Sequence, residues 1–434
     1  MSAGDGMGMM KPRVMAAFVA AAFMVVVGSF GADAQRRGSS IDDWLGFDQS
    51  DDSWEQPMRD RAFQREWETQ PERGFPTLAK ENIATTKTAI KQYAEIVARG
   101  GWPQLPPIEL RTGMSHPAVV QLRTRLQVTG DLQAYGGYPE VFDSYVEQAV
   151  KRAQERHGIP PTGFLDQTTI EALNVPASAR LRQLRTNLAR LQSLVPGTPA
   201  GKYVIVNIPA AQIEAVNNNQ VISRHAGVVG KPDRPSPLLN SAIEEINFNK
   251  EWVVPPTVLK YDLVPKGRGG QDVLAKYKID AYATHEDYQK GKKLDASQID
   301  WSSDAPLRYF YVQAPGDENP LGFAKINFAS PQGVYMHDTP GQSVFQRSFR
   351  ADSSGCIRVQ NIHQLVAWLL EDNGWSVQQV LRMKQSGERL FVRLKKRVPL
   401  YWTYITAWST PDGTVQFRRD IYRKDGVEAI ASAY

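Results

Sequence analysis

VYMHDTPGQSVFQRSFRADSSGCIRV, residues 334–359, decides how this chain reads. It opens with Val334-Tyr335-Met336-His337-Asp338-Thr339, an apolar strand ending on a histidine, and reaches Cys356 nineteen residues after His337. Cys356 is the single cysteine among 434 residues. In an exported chain it cannot close an internal disulfide, so the thiol is either inert or a reagent. Its surroundings, Ser353-Ser354-Gly355-Cys356-Ile357-Arg358-Val359, favour the reagent. Gly355 lets the backbone approach a ligand closely, Arg358 keeps positive charge near a thiolate, and a histidine lies within one loop's reach.

A free thiol is little ionised at neutral pH, so a catalytic cysteine needs a base. The sequence holds six histidines. His116 and His157 fall in a helical segment, His285 in a polar stretch, and His225 in a strand without a glycine-rich partner. His363 follows the cysteine but lies opposite Ile362, Leu365, Val366 and Leu369, so a solvated position is expected. His337 alone ends an apolar strand before a loop that returns to Cys356. The competing reading is a buried structural histidine beside an inert thiol.

Outward from this stretch the pattern is that of strands. Tyr203–Ile208 reads as a buried strand, and Ile213–Val216 and Val221–Arg224 as a hairpin about Asn217-Asn218-Asn219-Gln220. Ile243–Phe248, Tyr309–Ala314, Lys325–Phe328 and Gly333–Met336 are further strands. Leu390–Lys395, Val398–Trp408 and Val415–Arg418 follow a helix over Ile362–Leu370. Residues 256–321 are polar, dense in Lys, Asp, Tyr and Gly, and read as an insertion that is either a lid or a solvated excursion.

These residues resemble the YkuD-type catalytic domain of the L,D-transpeptidases, in its larger YcbB-like branch. The match rests on Tyr203–Pro209, Val228-Val229-Gly230-Lys231-Pro232, Trp252-x-x-Pro255-Pro256, Leu321-Gly322, Tyr335–Pro340 and Ser353–Val359. Many relatives read S-H-G-C where this chain has Ser353-Ser354-Gly355-Cys356. The resemblance implies that Cys356 is the nucleophile and His337 the base, with the backbone carbonyl of Asp338 fixing the imidazole tautomer. It also implies an oxyanion hole from the Gly355 and Cys356 backbone N–H groups. Tyr335 and Trp252 are expected to line the pocket, Ser353 and Ser354 to meet substrate, and Arg358 to position the loop or meet a substrate carboxylate. No metal or cofactor is called for. The implied reaction is acyl transfer from a peptidoglycan tetrapeptide stem, through a cysteinyl thioester, to an amine on a second stem, giving a 3→3 cross-link. An outer-membrane protein amine or water as acceptor, and a non-enzymatic wall-binding adaptor, are the alternatives.

Upstream, Ile83–Arg99 suits an amphipathic helix closed by Gly100-Gly101, and 180–195 a second with leucines at 181, 184, 188, 191 and 194. Residues 76–109 and 177–200 therefore read as a helical scaffold around a module at 110–176. In that module Pro117 opens one helix, Phe142, Tyr145, Val146, Ala149 and Ala153 mark a second, and a Thr168-x-x-Glu171 capping box starts a third. Pro117–Leu122, Ala149–Gln154, Gly158-Ile159 and Thr162-Gly163 resemble the bacterial peptidoglycan-binding domain, which implies glycan and stem peptides as partners. The fold class expected is α+β multidomain: a β-rich catalytic domain at 201–425 plus the three-helix module.

Lys11 and Arg13, the uncharged run Val14–Phe30 and Ala32-Asp33-Ala34 read as a signal peptide cleaved before Gln35, rather than a membrane anchor. Residues 35–75 read as a flexible polar lead-in with one short helix near Arg59–Glu68. The expected mature protein is soluble and periplasmic, without a stable membrane span. A net charge of +5, with Lys and Arg dispersed, suits a polyanionic wall and gives no stripe for nucleic acid.

Overall fold

The structure, a computed structural model, describes residues 74–133 and 137–427. The expected signal segment, and the lead-in up to residue 73 with its helix near Arg59–Glu68, lie outside the described residues.

Helix α1, Glu81–Ala98, stops where Gly100 and Gly101 take φ of +96° and +83°. It packs along a later helix over Ala177–Leu194, the two burying Tyr93, Trp102, Leu181 and Leu184 together with Ala407 and Phe417. Between them lie α2 (Ala118–Val128), α3 (Ser144–Arg156) and α4 (Gln167–Asn174), so the Ala177–Leu194 helix is α5. Val119, Leu122, Leu126, Phe142, Val146, Ala149, Ile170 and Leu173 form one core in this three-helix unit. One expectation fails there. The cap of α4 is Asp166, whose side chain accepts the Thr169 N–H at 2.8 Å, so the Thr168-x-x-Glu171 pattern is not the capping box. Tyr145 points outward, 51% exposed, because α3 turns only Val146, Ala149, Val150 and Ala153 to the core.

The three-helix unit leans on the scaffold. Arg125 stacks over the Trp102 ring at 3.9 Å, His157 stacks on Phe417 at 5.5 Å, and Arg418 Nη1 donates to the Arg156 carbonyl at 3.2 Å.

Strands follow: β1 Tyr203–Asn207, β2 Gln212–Asn217, β3 Gln220–Gly230, β4 Leu239–Phe248, β5 Trp252–Val253, β6 Ile279–Tyr282, β7 Phe310–Gln313, β8 Ala324–Phe328, β9 Met336–His337, β10 Ala351–Ser353, β11 Ile357–Val359, β12 Leu390–Thr403, β13 Ala407–Ser409 and β14 Val415–Phe417. Every residue of β1 is buried, which is why Tyr203–Val206 is continuously apolar rather than alternating. Asn218 and Asn219, at φ +51° and +62°, make the β2–β3 turn that matches strand twist. The large sheet runs β10-β3-β11-β9-β8-β4-β12-β1-β2, and β2 also pairs with β3, so the ladder closes on itself. Its interior holds Val204, Val206, Ile246, Ile326, Met336, Ile357 and Trp402, covered by helix α6 (Ile362–Leu369) and its neighbour α7 (Val377–Ser386).

Three differences from the sequence reading stand out. Gly333–Tyr335 is not strand; β9 is only Met336–His337. Leu390–Lys395 and Val398–Thr403 are one strand, β12, interrupted by a register shift between Arg393 and Val398. The 256–321 insertion is not a solvated excursion: Leu259, Leu263, Val273, Tyr277, Ile279 and Tyr311 pack with Trp252 into a core of their own, over the sheet β5-β7-β6.

Candidate active site

Side chains alternate across a strand, and residues paired in register share a face. In the parallel pair β9–β11, Met336 lies opposite Ile357 and His337 opposite Arg358. On the other side of β9, antiparallel β8 sets Lys325 opposite His337 and Ile326 opposite Met336. Met336, Ile357 and Ile326 fill the core. The alternate set, Tyr335, His337, Cys356, Arg358 and Lys325, therefore meets on the other face. The strand pattern is what brings the histidine and the cysteine together.

His337 is fully buried, and its Nδ1 lies 2.6 Å from the Asp338 carbonyl oxygen. A carbonyl only accepts, so Nδ1 carries the proton and Nε2 is the bare acceptor. Nε2 has no hydrogen-bond partner among the described residues. Burial, then the positive charge of Arg358, pushes the imidazole down to about 3. The Asp338 carboxylate turns the other way, accepting the Phe323 N–H at 3.2 Å.

Cys356 is partly exposed. Burial nonetheless pushes its thiol up to about 11, against the Tyr335 backbone N–H, Lys325, the Tyr335 hydroxyl and Arg358, all of which favour the thiolate. The resting pair is thus a neutral thiol and a neutral imidazole. Tyr335 is held protonated well above its ordinary range, by burial and then by Cys356, and it packs against the cluster that holds Trp252. Its ring meets His337 edge-on at 5.5 Å.

The loop before the thiol is braced from below. Gly355 has φ of +112°, a conformation open to glycine and strained for other residues. Its carbonyl accepts from Ser236 Oγ at 2.9 Å, and Ser236 Oγ in turn accepts the Gly230 N–H at 2.8 Å. Arg234 Nη1 donates to Ser354 Oγ at 2.9 Å and to Asp262 Oδ2 at 2.6 Å. One guanidinium therefore joins the loop to the insertion.

Four sequence expectations are corrected. The Gly355 N–H donates to Ser353 Oγ at 3.1 Å and so is not available to an oxyanion; no group among the described residues accepts the Cys356 N–H. Ser353, 1% exposed, also donates to the Cys356 carbonyl at 2.5 Å and is spent within the loop. Trp252, fully buried, lies in the insertion's core and supports Tyr335 rather than lining a pocket. Arg358, 1% exposed, sits beneath His337 and Cys356, out of a substrate's reach. Ser354 faces Arg234.

The other histidines lie apart. His225 Nδ1 and Nε2 are taken by the Gln360 carbonyl and Ser223 Oγ, both at 2.9 Å. His116 caps α2, accepting the Ala118 N–H at 3.0 Å, and His157 is buried against Phe417. His285 is exposed, and His363 is half-buried on α6 rather than solvated. Lys325 was missed: a lysine in Ala-Lys-Ile-Asn-Phe reads as the solvent face of a strand.

The YkuD L,D-transpeptidase catalytic domain matches residues 201–384, and the peptidoglycan-binding domain matches residues 115–173. The first of these matches covers less than half of the chain. A curated relative from Haemophilus influenzae, named as an L,D-transpeptidase, is 30% identical over 249 residues, 56% of this chain and 48% of that protein. The chain thus spans about half the length of that relative. Two solved L,D-transpeptidases, from Xylanimonas cellulosilytica and Stackebrandtia nassauensis, are 15% and 12% identical. Each match covers 69% of this chain, with 98% and 96% of the solved chains and TM-scores of 0.23 and 0.25, too low to add to the assignment. The large sheet continues past the matched segment, since β12 pairs with both β1 and β4.

Proposed function

We propose that this chain is an exported, periplasmic L,D-transpeptidase of the YcbB-like branch that cross-links peptidoglycan stems. The observation that carries the mechanism is the Nδ1 contact of His337 to the Asp338 carbonyl, which leaves Nε2 as a proton acceptor on the face that holds Cys356. Because thiol and imidazole rest neutral, proton transfer accompanies attack on the substrate carbonyl rather than preceding it. Cys356 Sγ bonds to the carbonyl carbon of stem residue three and its proton passes to His337 Nε2. The developing oxyanion is met by the Cys356 N–H and the Tyr335 hydroxyl. As the amide C–N bond breaks, Nε2 returns the proton to the amine of the departing terminal D-alanine, leaving a thioester. The side-chain amine of a second stem's diamino residue then attacks the thioester, Nε2 takes its proton and passes it to the departing thiolate, and a 3→3 link remains. An outer-membrane protein amine and water are the alternative acceptors.

The 115–173 domain fits a role in holding the polymer, since remote binding energy orients a large substrate without touching the reacting bond. The experiment is acylation by a carbapenem-type acyl donor, read by intact mass. One adduct on the wild-type chain and none on Cys356→Ala is expected; an adduct surviving on Cys356→Ala overturns the assignment.

A further inference from the structure

Lys325 is an unexplained charge. It lies on β8 with its Nζ 4.2 Å from the centroid of the Tyr335 ring, whose hydroxyl faces the Cys356 thiol. The side chain is half-buried, and no hydrogen bond or ion pair to it is found among the described residues. Neither nearby carboxylate pairs with it: Glu245 accepts from Asn247 Nδ2 at 2.7 Å, and Glu251 Oε1 from Arg389 at 3.0 Å, while Glu251 Oε2 has no hydrogen-bond partner among the described residues. The like charge that acts on it is Lys250, which rests over the Phe391 ring at 4.9 Å. An ammonium withdrawn from water is costly unless something pairs with it. Burial, then Lys250, bring Lys325 down to about 8, with Cys356, Glu245 and Glu251 opposing. It therefore stays mostly charged at neutral pH, waiting for an anion.

The acyl-donor stem supplies one. The terminal residue that leaves carries a free carboxylate, which trails the scissile carbonyl by a single residue, roughly 3.5 Å of chain. A stem extended by one more residue has a neutral amide at that place. We propose that Lys325 binds the terminal carboxylate of the acyl-donor stem and thereby selects tetrapeptides over stems with a neutral group there. This rests on the L,D-transpeptidase reading and assigns that site its specificity residue. The cation–ring contact holds Nζ beside Tyr335, the residue that also acts on the Cys356 thiol, so the carboxylate and the thiol meet at one side chain.

The test compares two soluble tetrapeptides, one with a free C-terminal carboxylate and one with a C-terminal carboxamide, by the rate of Cys356 acylation. The wild-type chain should prefer the acid by about tenfold or more, the scale of a hydrogen bond to a charged group. Lys325→Met should bring the acid-to-amide ratio close to one, and Lys325→Arg should keep most of the preference. The ratio cancels any effect of the lysine on the thiol itself, because both peptides meet the same thiol. Lys325→Gln replaces Lys325→Met if the methionine variant does not fold. A wild-type ratio near one, or a preference that persists in Lys325→Met, overturns the proposal while leaving the transpeptidase reading standing. No acylation of wild type by either peptide overturns that reading and the proposal with it.

Discussion

The resting state of the thiol gives the sharpest prediction. In enzymes that store a thiolate–imidazolium pair, alkylation is already fast well below pH 7. Here burial pushes Cys356 from 9.0 up to about 11 and His337 from 6.5 down to about 3, so no ion pair forms in the free enzyme. At pH 7 the thiolate fraction is then roughly one in ten thousand, about a hundredfold below that of an unperturbed thiol. The rate of carbamidomethylation by iodoacetamide, followed by intact mass from pH 5 to 11, should rise about tenfold per pH unit with no acid-side plateau. His337→Gln should leave that profile nearly unchanged, because a neutral imidazole contributes no charge to remove. The same substitution should still slow enzymatic acylation, where the base works during attack. A plateau setting in below pH 7 in wild type, lost in His337→Gln, would show that a preformed ion pair exists and refute the reasoning.

For acylation by a carbapenem-type donor, His337→Gln should cost at least about 100-fold, the usual scale of a general base, and His363→Gln little; equal losses would mean that the wrong histidine has been named. Gly355→Ala should slow acylation and lower thermal stability by about 1–3 kcal/mol, since alanine is strained at φ +112°; an unaltered melting curve would contradict the brace described for the loop. Arg234→Met should release Ser354 and strand Asp262, whose side chain is only 13% exposed, lowering stability by roughly 1–3 kcal/mol and slowing acylation; full activity in a stable variant would show that the link between insertion and loop is idle.

Much of this was legible in the chain. The continuous apolar run of β1 and the paired asparagines of the β2–β3 turn announce strands directly, and the helix leucines of α5 announce the scaffold. His337 stood out because it alone ends an apolar strand near a loop back to the cysteine. What is not legible has a common cause: polarity in sequence does not mean exposure in space. Ser353 and Arg358 are polar yet buried, because the sheet wraps them. Lys325 takes an alternating strand position that reads as solvent, and only the register with His337 across β9 brings it to the thiol. The insertion's core was invisible for a different reason. Leu259, Leu263, Val273 and Ile279 sit in helical turns of at most five residues and a four-residue strand, too short for any period to accumulate. The α4 cap shows local competition: Asp166 stands two residues before Thr168 and takes the Thr169 N–H first.

The central claim is acyl transfer through Cys356, and one measurement addresses it directly. The chain, with residues 1–34 removed, is incubated with a soluble tetrapeptide stem and followed by intact-protein and small-molecule mass spectrometry. The account predicts release of the terminal D-alanine, a tripeptide acyl adduct on Cys356, and transfer of that acyl group to a second stem's side-chain amine. Release of D-alanine at an equal rate by Cys356→Ala, or no adduct on the wild-type thiol while cross-linked product accumulates, would contradict it.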